Sequence, residues 1–144
     1  MAIQFLFIYG TLLEPGNGFA LYLQENSTFY DKGKFKGKLY DIGEYPGAVL
    51  NKSGKSYVHG SIVLLNNNHQ PILRTIDNYE GYGPKQPKPN LYIRQMIAVE
   101  TDVGPVKCWV YLYNRPVIGL HQITSGDYLD YKSKKIPPDA NQEG

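Results

Sequence analysis

The side chain best suited to proton-transfer chemistry is Glu80, a carboxylate near the end of a predicted helix. The sequence predicts that helix over His69 to Tyr79. Ile72, Ile76 and Glu80 are spaced so that they share one stripe of it. Burial raises the pKa of a carboxyl group, and the C-terminal end of a helix disfavours its anion, so Glu80 is a candidate general acid/base. The alternative is that the helix frays and leaves Glu80 solvated or paired with a basic residue such as Arg94.

A second candidate is the loop Tyr9-Gly10-Thr11-Leu12. The apolar run from Ile3 to Tyr9 predicts a buried strand, and Gly10 allows a sharp turn directly after it. Backbone amides left free at such a turn can bind a carboxylate or a polarised carbonyl oxygen, beside the hydroxyl of Thr11. The alternative is an ordinary strand followed by a tight turn.

Arg94 and Tyr111 lie on two late predicted strands. Arg94 shares a strand face with Tyr92, where it can bind a substrate carboxylate or pair with an acid such as Glu80 or Glu100. A surface position on the strand is the alternative for the arginine. Tyrosines such as Tyr111 suit strands and can line a polar pocket.

Other kinds of site lack support in the sequence. The three histidines are scattered without metal-ligand spacing, so we expect no metal, and the single Cys108 is expected to be a small core residue. The net charge of +2 is too small to indicate binding to nucleic acid. No leader and no apolar run of membrane-spanning length is present, so we expect a cytoplasmic protein without membrane contact.

The elements that must position these residues indicate an α+β protein. Alternating and apolar runs predict about five strands, and a short helix over Phe19 to Gln24 has Asn17 as a possible N-cap. The strands are expected to form a small mixed β-barrel of five to six strands with flanking short helices. We expect one domain over residues 1–135. The proline-containing tail over 136–144, poor in apolar residues, is expected to be disordered. The strands are predicted at Ile3–Tyr9, Lys34–Ile42, Tyr57–Leu65, Leu91–Thr101 and Val106–Asn114, with a further short extended piece at Ala48–Leu50.

Six short segments, taken together and in order, resemble the γ-glutamylcyclotransferase-like (AIG2-like) family, in particular its γ-glutamylamine cyclotransferase type. They span roughly Phe7 to Tyr128. The segments are Tyr9-Gly10-Thr11-Leu12, Leu39 to Gly43 with Tyr45-Pro46-Gly47, Ile76 to Tyr82, Tyr92-Ile93-Arg94, Trp109-Val110-Tyr111 and Ser125-Gly126-Asp127-Tyr128.

The resemblance implies a small β-barrel with flanking helices, and a pocket formed by the Tyr9 to Leu12 loop and a catalytic Glu80. It implies an enzyme without a cofactor that cyclises the γ-glutamyl group of a small-molecule substrate to 5-oxoproline and releases an amine or amino acid. The alternative is a non-catalytic small-molecule-binding or stress-associated member of the same fold. The leaving amine and the oligomeric state stay open. The expected substrate-binding residues are Tyr9, Gly10, Thr11, Leu12, Tyr45, Arg94 and Tyr111.

Overall fold

A computed structural model describes residues 3–13, 17–67 and 69–134, and the tail expected at 136–144 lies outside them. Within the described chain, seven strands alternate with three α-helices and one short 3₁₀ helix. In order these are β1 (Phe5–Ile8), the 3₁₀ helix (Thr11–Leu13), α1 (Gly18–Glu25), β2 (Ser27–Asp41), β3 (Pro46–Leu50), β4 (Tyr57–Leu65), α2 (His69–Glu80), β5 (Tyr92–Thr101), β6 (Gly104–Tyr113), β7 (His121–Gln122) and α3 (Tyr128–Lys134).

Five of the strands form a closed barrel in the order β2-β4-β1-β6-β5. The barrel closes because β5 pairs with β2 through Lys34 and Glu100. β1 runs parallel to β6, and the other neighbouring strands are antiparallel, so the barrel is mixed. β3 and β7 extend the sheet by pairing with β2. The predicted α+β class, with a mixed barrel and flanking short helices, is confirmed.

The first strand is buried on both faces, which explains its unbroken apolar sequence. Phe7 belongs to the core shared by the barrel strands, where its ring lies 5.6 Å from that of Phe35, centroid to centroid. Leu6 and Ile8 belong to a second core between the barrel and α2, together with residues of the helix such as Ile76. The strand therefore fixes α2 against the barrel wall.

The predicted helices and core residues are found with small shifts. α1 begins at Gly18, and Asn17 is its N-cap, because its Oδ1 accepts from the amides of Phe19 and Ala20 at 2.9 and 3.1 Å. Cys108 is fully buried in the barrel core, as expected. Within the described residues, no helix has the length and apolarity needed to cross a membrane.

The prediction for β2 was wrong at its beginning. The strand begins at Ser27 rather than Lys34, and its first half pairs with β4 through a bulge between Phe29 and Asp31. Phe29 and Tyr30 are both exposed, so this half has no alternation of buried and exposed positions to reveal it. Pairing with β4 defines this half as a strand, and the ring of Tyr30 packs beside that of Phe5 in β1, at 4.8 Å between centroids.

Gly60 in β4 lies where this strand packs closely against β1. A Cβ atom at this position would lie 2.2 Å from the carbonyl oxygen of Ile8 and 2.7 Å from Cζ of Phe7. Gly60→Ala should therefore lower the free energy of unfolding by about 1–3 kcal/mol, measured by urea unfolding. Ser61→Ala, one residue along the same strand, is the control and should change it by less than about 0.5 kcal/mol. Equal stability of the two variants would contradict the close approach.

Candidate active site

A cavity of about 340 Å³ opens where the C-terminal ends of β1 and α2 meet. Its wall combines the loop after β1, the start of β3, the last turn of α2 and the facing side chains of β5 and β6. The lining residues are Phe7, Ile8, Tyr9, Gly10, Thr11, Leu12, Glu44, Tyr45, Pro46, Tyr79, Glu80, Leu91, Tyr92 and Tyr111.

The loop after β1 turns sharply against β3. A Cβ atom at Gly10 would lie 2.8 Å from Cγ of Pro46, so this close approach requires glycine. The amide of Leu13 donates to the carbonyl of Gly10 at 2.9 Å. For the amides of Gly10, Thr11 and Leu12, no acceptor is found among the described residues. Three unpaired donors therefore belong to residues that line the cavity.

Tyr79 holds this loop to α2. Its hydroxyl shares a hydrogen bond of 2.6 Å with Oγ1 of Thr11 and accepts one of 3.0 Å from Nδ2 of Asn17. Its ring lies 4.3 Å from that of Phe19, between centroids. The side chain of Asn17 thus caps α1 with its oxygen and fixes Tyr79 with its nitrogen. The loop, α1 and the last turn of α2 are joined into one unit.

Glu80 is the last residue of α2 and lines the cavity. Gly81, with a φ of +72°, follows the last helical residue, and the amide of Tyr82 donates to the carbonyl of Asp77 at 2.9 Å. In the described parts of the chain, the Glu80 carboxyl has neither a hydrogen bond nor an ion pair with protein. Burial, with a smaller contribution from the negative charge of Asp77, raises its pKa from 4.5 to about 8. It is a titratable group near neutral pH without a partner among the residues that the structure describes.

The carboxylate of Asp77 lies one turn before Glu80 and accepts three hydrogen bonds from two residues. Oδ1 accepts from Nε of Arg94 at 2.8 Å and from the hydroxyl of Tyr111 at 2.6 Å, and Oδ2 accepts from Nη2 of Arg94 at 3.2 Å. The guanidinium of Arg94 also stacks over the ring of Trp109, at 4.4 Å from its centroid. These contacts fix the last turns of α2 to β5 and β6.

The buried tyrosine hydroxyls of the cavity wall are used within the protein. Tyr9 donates to the carbonyl of Tyr111 at 2.5 Å and accepts from the amide of Ala48 at 3.2 Å, and Tyr92 donates to the carbonyl of Pro46 at 2.5 Å. Burial raises the pKa of Tyr9, Tyr92 and Tyr111 far above the usual value of a phenol. These rings shape the wall, and Glu80 is the group suited to exchange a proton.

The structure brings most of the predicted site residues together. The Tyr9 to Leu12 loop, Tyr45, Glu80 and Tyr111 all line the one cavity. Arg94 does not line it, so the structure gives no support to a direct contact between Arg94 and substrate. The expected partners of Arg94, Glu80 or Glu100, were wrong: the acid is Asp77, because β5 faces the turn of α2 that carries Asp77.

Sequence reasoning missed two acids of this region. Asp77 lies three residues before Glu80 on the same helix, and this spacing is a signal that both side chains share a face. Glu44, in the loop before β3, lines the cavity but carried no recognisable pattern. Within the described residues, no three His, Cys, Asp or Glu side chains are grouped as metal ligands.

Comparison with known proteins gives consistent matches over nearly the whole chain. Residues 6–130 match the family model described as "Gamma-glutamyl cyclotransferase, AIG2-like". The γ-glutamylcyclotransferase family protein YtfP of Escherichia coli (strain K12) is 34% identical over 132 residues, which cover 87% of this chain and 96% of that protein.

Two solved structures resemble the fold. YkqA from Bacillus subtilis matches with a TM-score of 0.67 and 26% identity, over 93% of this chain and 44% of that one. An AIG2-like protein from Mus musculus matches with a TM-score of 0.67 and 22% identity, over 89% of each chain. The second likeness supports the fold alone.

The raised pKa of Glu80 predicts a pH dependence of stability. Between pH of about 4.5 and 8, the folded protein holds a proton on Glu80 that the unfolded chain has lost, so this group's contribution to stability decreases as the pH rises. Glu80→Gln should remove this contribution and flatten the decline measured by urea unfolding from pH 5 to 8. Glu25→Gln, at an exposed glutamate outside the cavity, is the control. Parallel curves for wild type and Glu80→Gln would show that Glu80 is ionised in the folded protein at neutral pH.

The pairing of Arg94 with Asp77 predicts that the arginine stabilises the fold. Arg94→Ala leaves a poorly solvated carboxylate without its cation and should lower the free energy of unfolding by about 1–3 kcal/mol. Arg74→Ala removes an exposed arginine from α2 and should change it by less than about 0.5 kcal/mol. A loss of similar size in both variants would argue against the ion pair as the cause.

Proposed function

The chain belongs to the γ-glutamyl cyclotransferase, AIG2-like family, and on this basis we propose that it cyclises a γ-glutamyl group to 5-oxoproline and releases an amine. Glu80 is the general base and general acid of the proposed reaction. The proposal requires no cofactor, because every step is a proton transfer or the making or breaking of a carbon–nitrogen bond.

The observation that carries the proposal is the state of Glu80. Its carboxyl lines the cavity, has no protein partner among the described residues, and has a pKa raised to about 8 by burial and by Asp77. A carboxyl that only stabilised the fold would be expected to have a hydrogen-bond or ion-pair partner, as Asp77 has. A base that must take and return a proton near neutral pH needs a pKa in this range.

The reaction is an intramolecular attack. The α-amine of the γ-glutamyl group adds to the carbonyl carbon of its own side chain, a five-membered ring closes, and the bond to the leaving nitrogen breaks. Attacking and attacked groups belong to one molecule, so a cavity that holds the chain in a folded conformation supplies much of the rate. The rigid aromatic wall formed by Tyr9, Tyr92 and Tyr111 is suited to that task.

Glu80 balances the protons of this reaction. The attacking nitrogen enters as an ammonium group and ends as the single N–H of the lactam, so it loses two protons. The leaving nitrogen begins as an amide N–H and departs as an ammonium group, so it gains two. Glu80 carries each proton from the first nitrogen to the second and returns to its starting state. The incoming ammonium group favours the carboxylate form that begins the cycle.

The loop after β1 provides the anion site of the proposed reaction. The unpaired amides of Gly10, Thr11 and Leu12 can hold the α-carboxylate of the substrate or the oxyanion that develops on the attacked carbonyl. Because Tyr79 and Pro46 hold the loop, these donors need little rearrangement when substrate binds.

Glu80→Gln tests the proposed role directly, because it keeps the size of the side chain and removes its proton exchange. With a γ-glutamyl compound as substrate, release of 5-oxoproline measured by mass spectrometry should fall about a hundredfold or more. The dissociation constant of the substrate, measured by calorimetry, should change much less. In the wild type, kcat/KM should rise with pH as Glu80 ionises near pH 8.

The control and the opposing results separate the two functions open for this family. Glu25→Gln should leave turnover unchanged. Unaltered turnover in Glu80→Gln would refute Glu80 as the acid/base. Binding of γ-glutamyl compounds without release of 5-oxoproline by the wild-type protein would favour the non-catalytic binding protein instead.

A further inference from the structure

The charged side chains that line the cavity, among the described residues, are all negative. Glu44 and Glu80 are the charged side chains among its described lining residues, and none of these residues is a lysine, arginine or histidine. Glu44 is exposed, whereas Glu80 is half-buried at the end of α2, so the two carboxyls mark the outer and inner parts of the cavity. In the described parts of the chain, the Glu44 carboxylate has no hydrogen-bond or ion-pair partner. Its charge is therefore available to a ligand at the mouth.

The proposed reaction fixes the orientation in which the substrate must bind in this cavity. The attacking α-amine must reach Glu80, so the γ-glutamyl part occupies the inner end. The leaving group then extends toward the mouth, where Glu44 lies. The charge carried by the leaving group should decide how well it is accepted there.

Among the described lining residues, no cation is available to a second carboxylate of the substrate. The hydroxyls of Tyr9, Tyr92 and Tyr111 are each bonded within the protein. The unpaired amides of the loop after β1 serve the α-carboxylate or the oxyanion of the γ-glutamyl part. A second carboxylate, on the leaving group, finds no cation in the lining and meets the like charge of Glu44.

We propose that the leaving group is an amine that carries a second positive charge and no carboxylate, and that Glu44 is the residue that selects it. This inference rests on the proposed function, because the cyclisation places the leaving group at the mouth. Amino acids and peptides with a free carboxylate are the disfavoured class. The ion pair forms at an exposed position, so its effect is modest and weakens as salt is added.

Three conjugates that differ only in the terminal group of the leaving amine test the proposal. They are the γ-glutamyl amides of 1,4-diaminobutane, pentylamine and 5-aminopentanoic acid, whose four-carbon chains end in ammonium, methyl and carboxylate. Binding is measured by calorimetry on Glu80→Gln protein, which should hold the conjugates without turning them over. We expect the ammonium conjugate to bind about threefold more tightly than the methyl one and roughly tenfold more tightly than the carboxylate one.

Variants of Glu44 connect this order to one side chain. Because Glu44 is exposed, the variants should fold as the parent does. Glu44→Gln should make the three dissociation constants nearly equal, and Glu44→Lys should reverse their order. Glu25→Lys, the same charge change at an exposed site outside the cavity, should leave the order unchanged.

The outcomes separate this inference from the proposed function. Equal binding of the three conjugates, or an order that Glu44→Lys does not change, would overturn the selectivity even if all three released 5-oxoproline in wild-type protein. The expected order of binding, without 5-oxoproline from any conjugate, would support the charge selectivity and refute the cyclisation.

Discussion

The carboxylate of Asp77 is the contact on which the arrangement of the site depends. It receives Arg94 from β5 and Tyr111 from β6, so one side chain joins the end of α2 to two strands of the barrel. Asp77 forms an ion pair with Arg94, and its negative charge also raises the pKa of Glu80, one turn further along the helix. The same contact therefore positions the proposed base and adds to the burial that raises its pKa.

The three acids of the site have different roles because their contacts and their exposure differ. Asp77 is paired and structural, Glu80 is half-buried and unpaired within the described chain, and Glu44 is exposed at the mouth. Tyr9 and Tyr92 are structural in the same sense as Asp77, since their hydroxyls bind backbone carbonyls of other strands. A rigid aromatic wall leaves few polar groups free, and those few determine the chemistry that the cavity can support.

Glu80 and the loop after β1 were predictable from the sequence, because short segments of the chain determine both. Glu80 continues an apolar stripe, and the loop after β1 follows a buried strand with a glycine. The partner of Arg94 was not predictable, because a strand position gives a face of the sheet but not which of several acids lies across from it. The first half of β2 was not predicted for a related reason. Phe29 and Tyr30 are both exposed, so buried and exposed positions do not alternate there, and pairing with β4 defines the strand.

The closure of the barrel has a consequence for how the chain folds. β2 and β5 meet through the single pair Lys34 and Glu100, whereas β2 and β4 are paired along most of their length. The joined residues are far apart in sequence, so forming this seam means closing a long loop in return for few hydrogen bonds. The β2–β4 and β5–β6 pairings are separated by shorter stretches of chain and form without it. We therefore expect the seam to form after these two pairings, and its amide hydrogens to exchange with solvent before theirs.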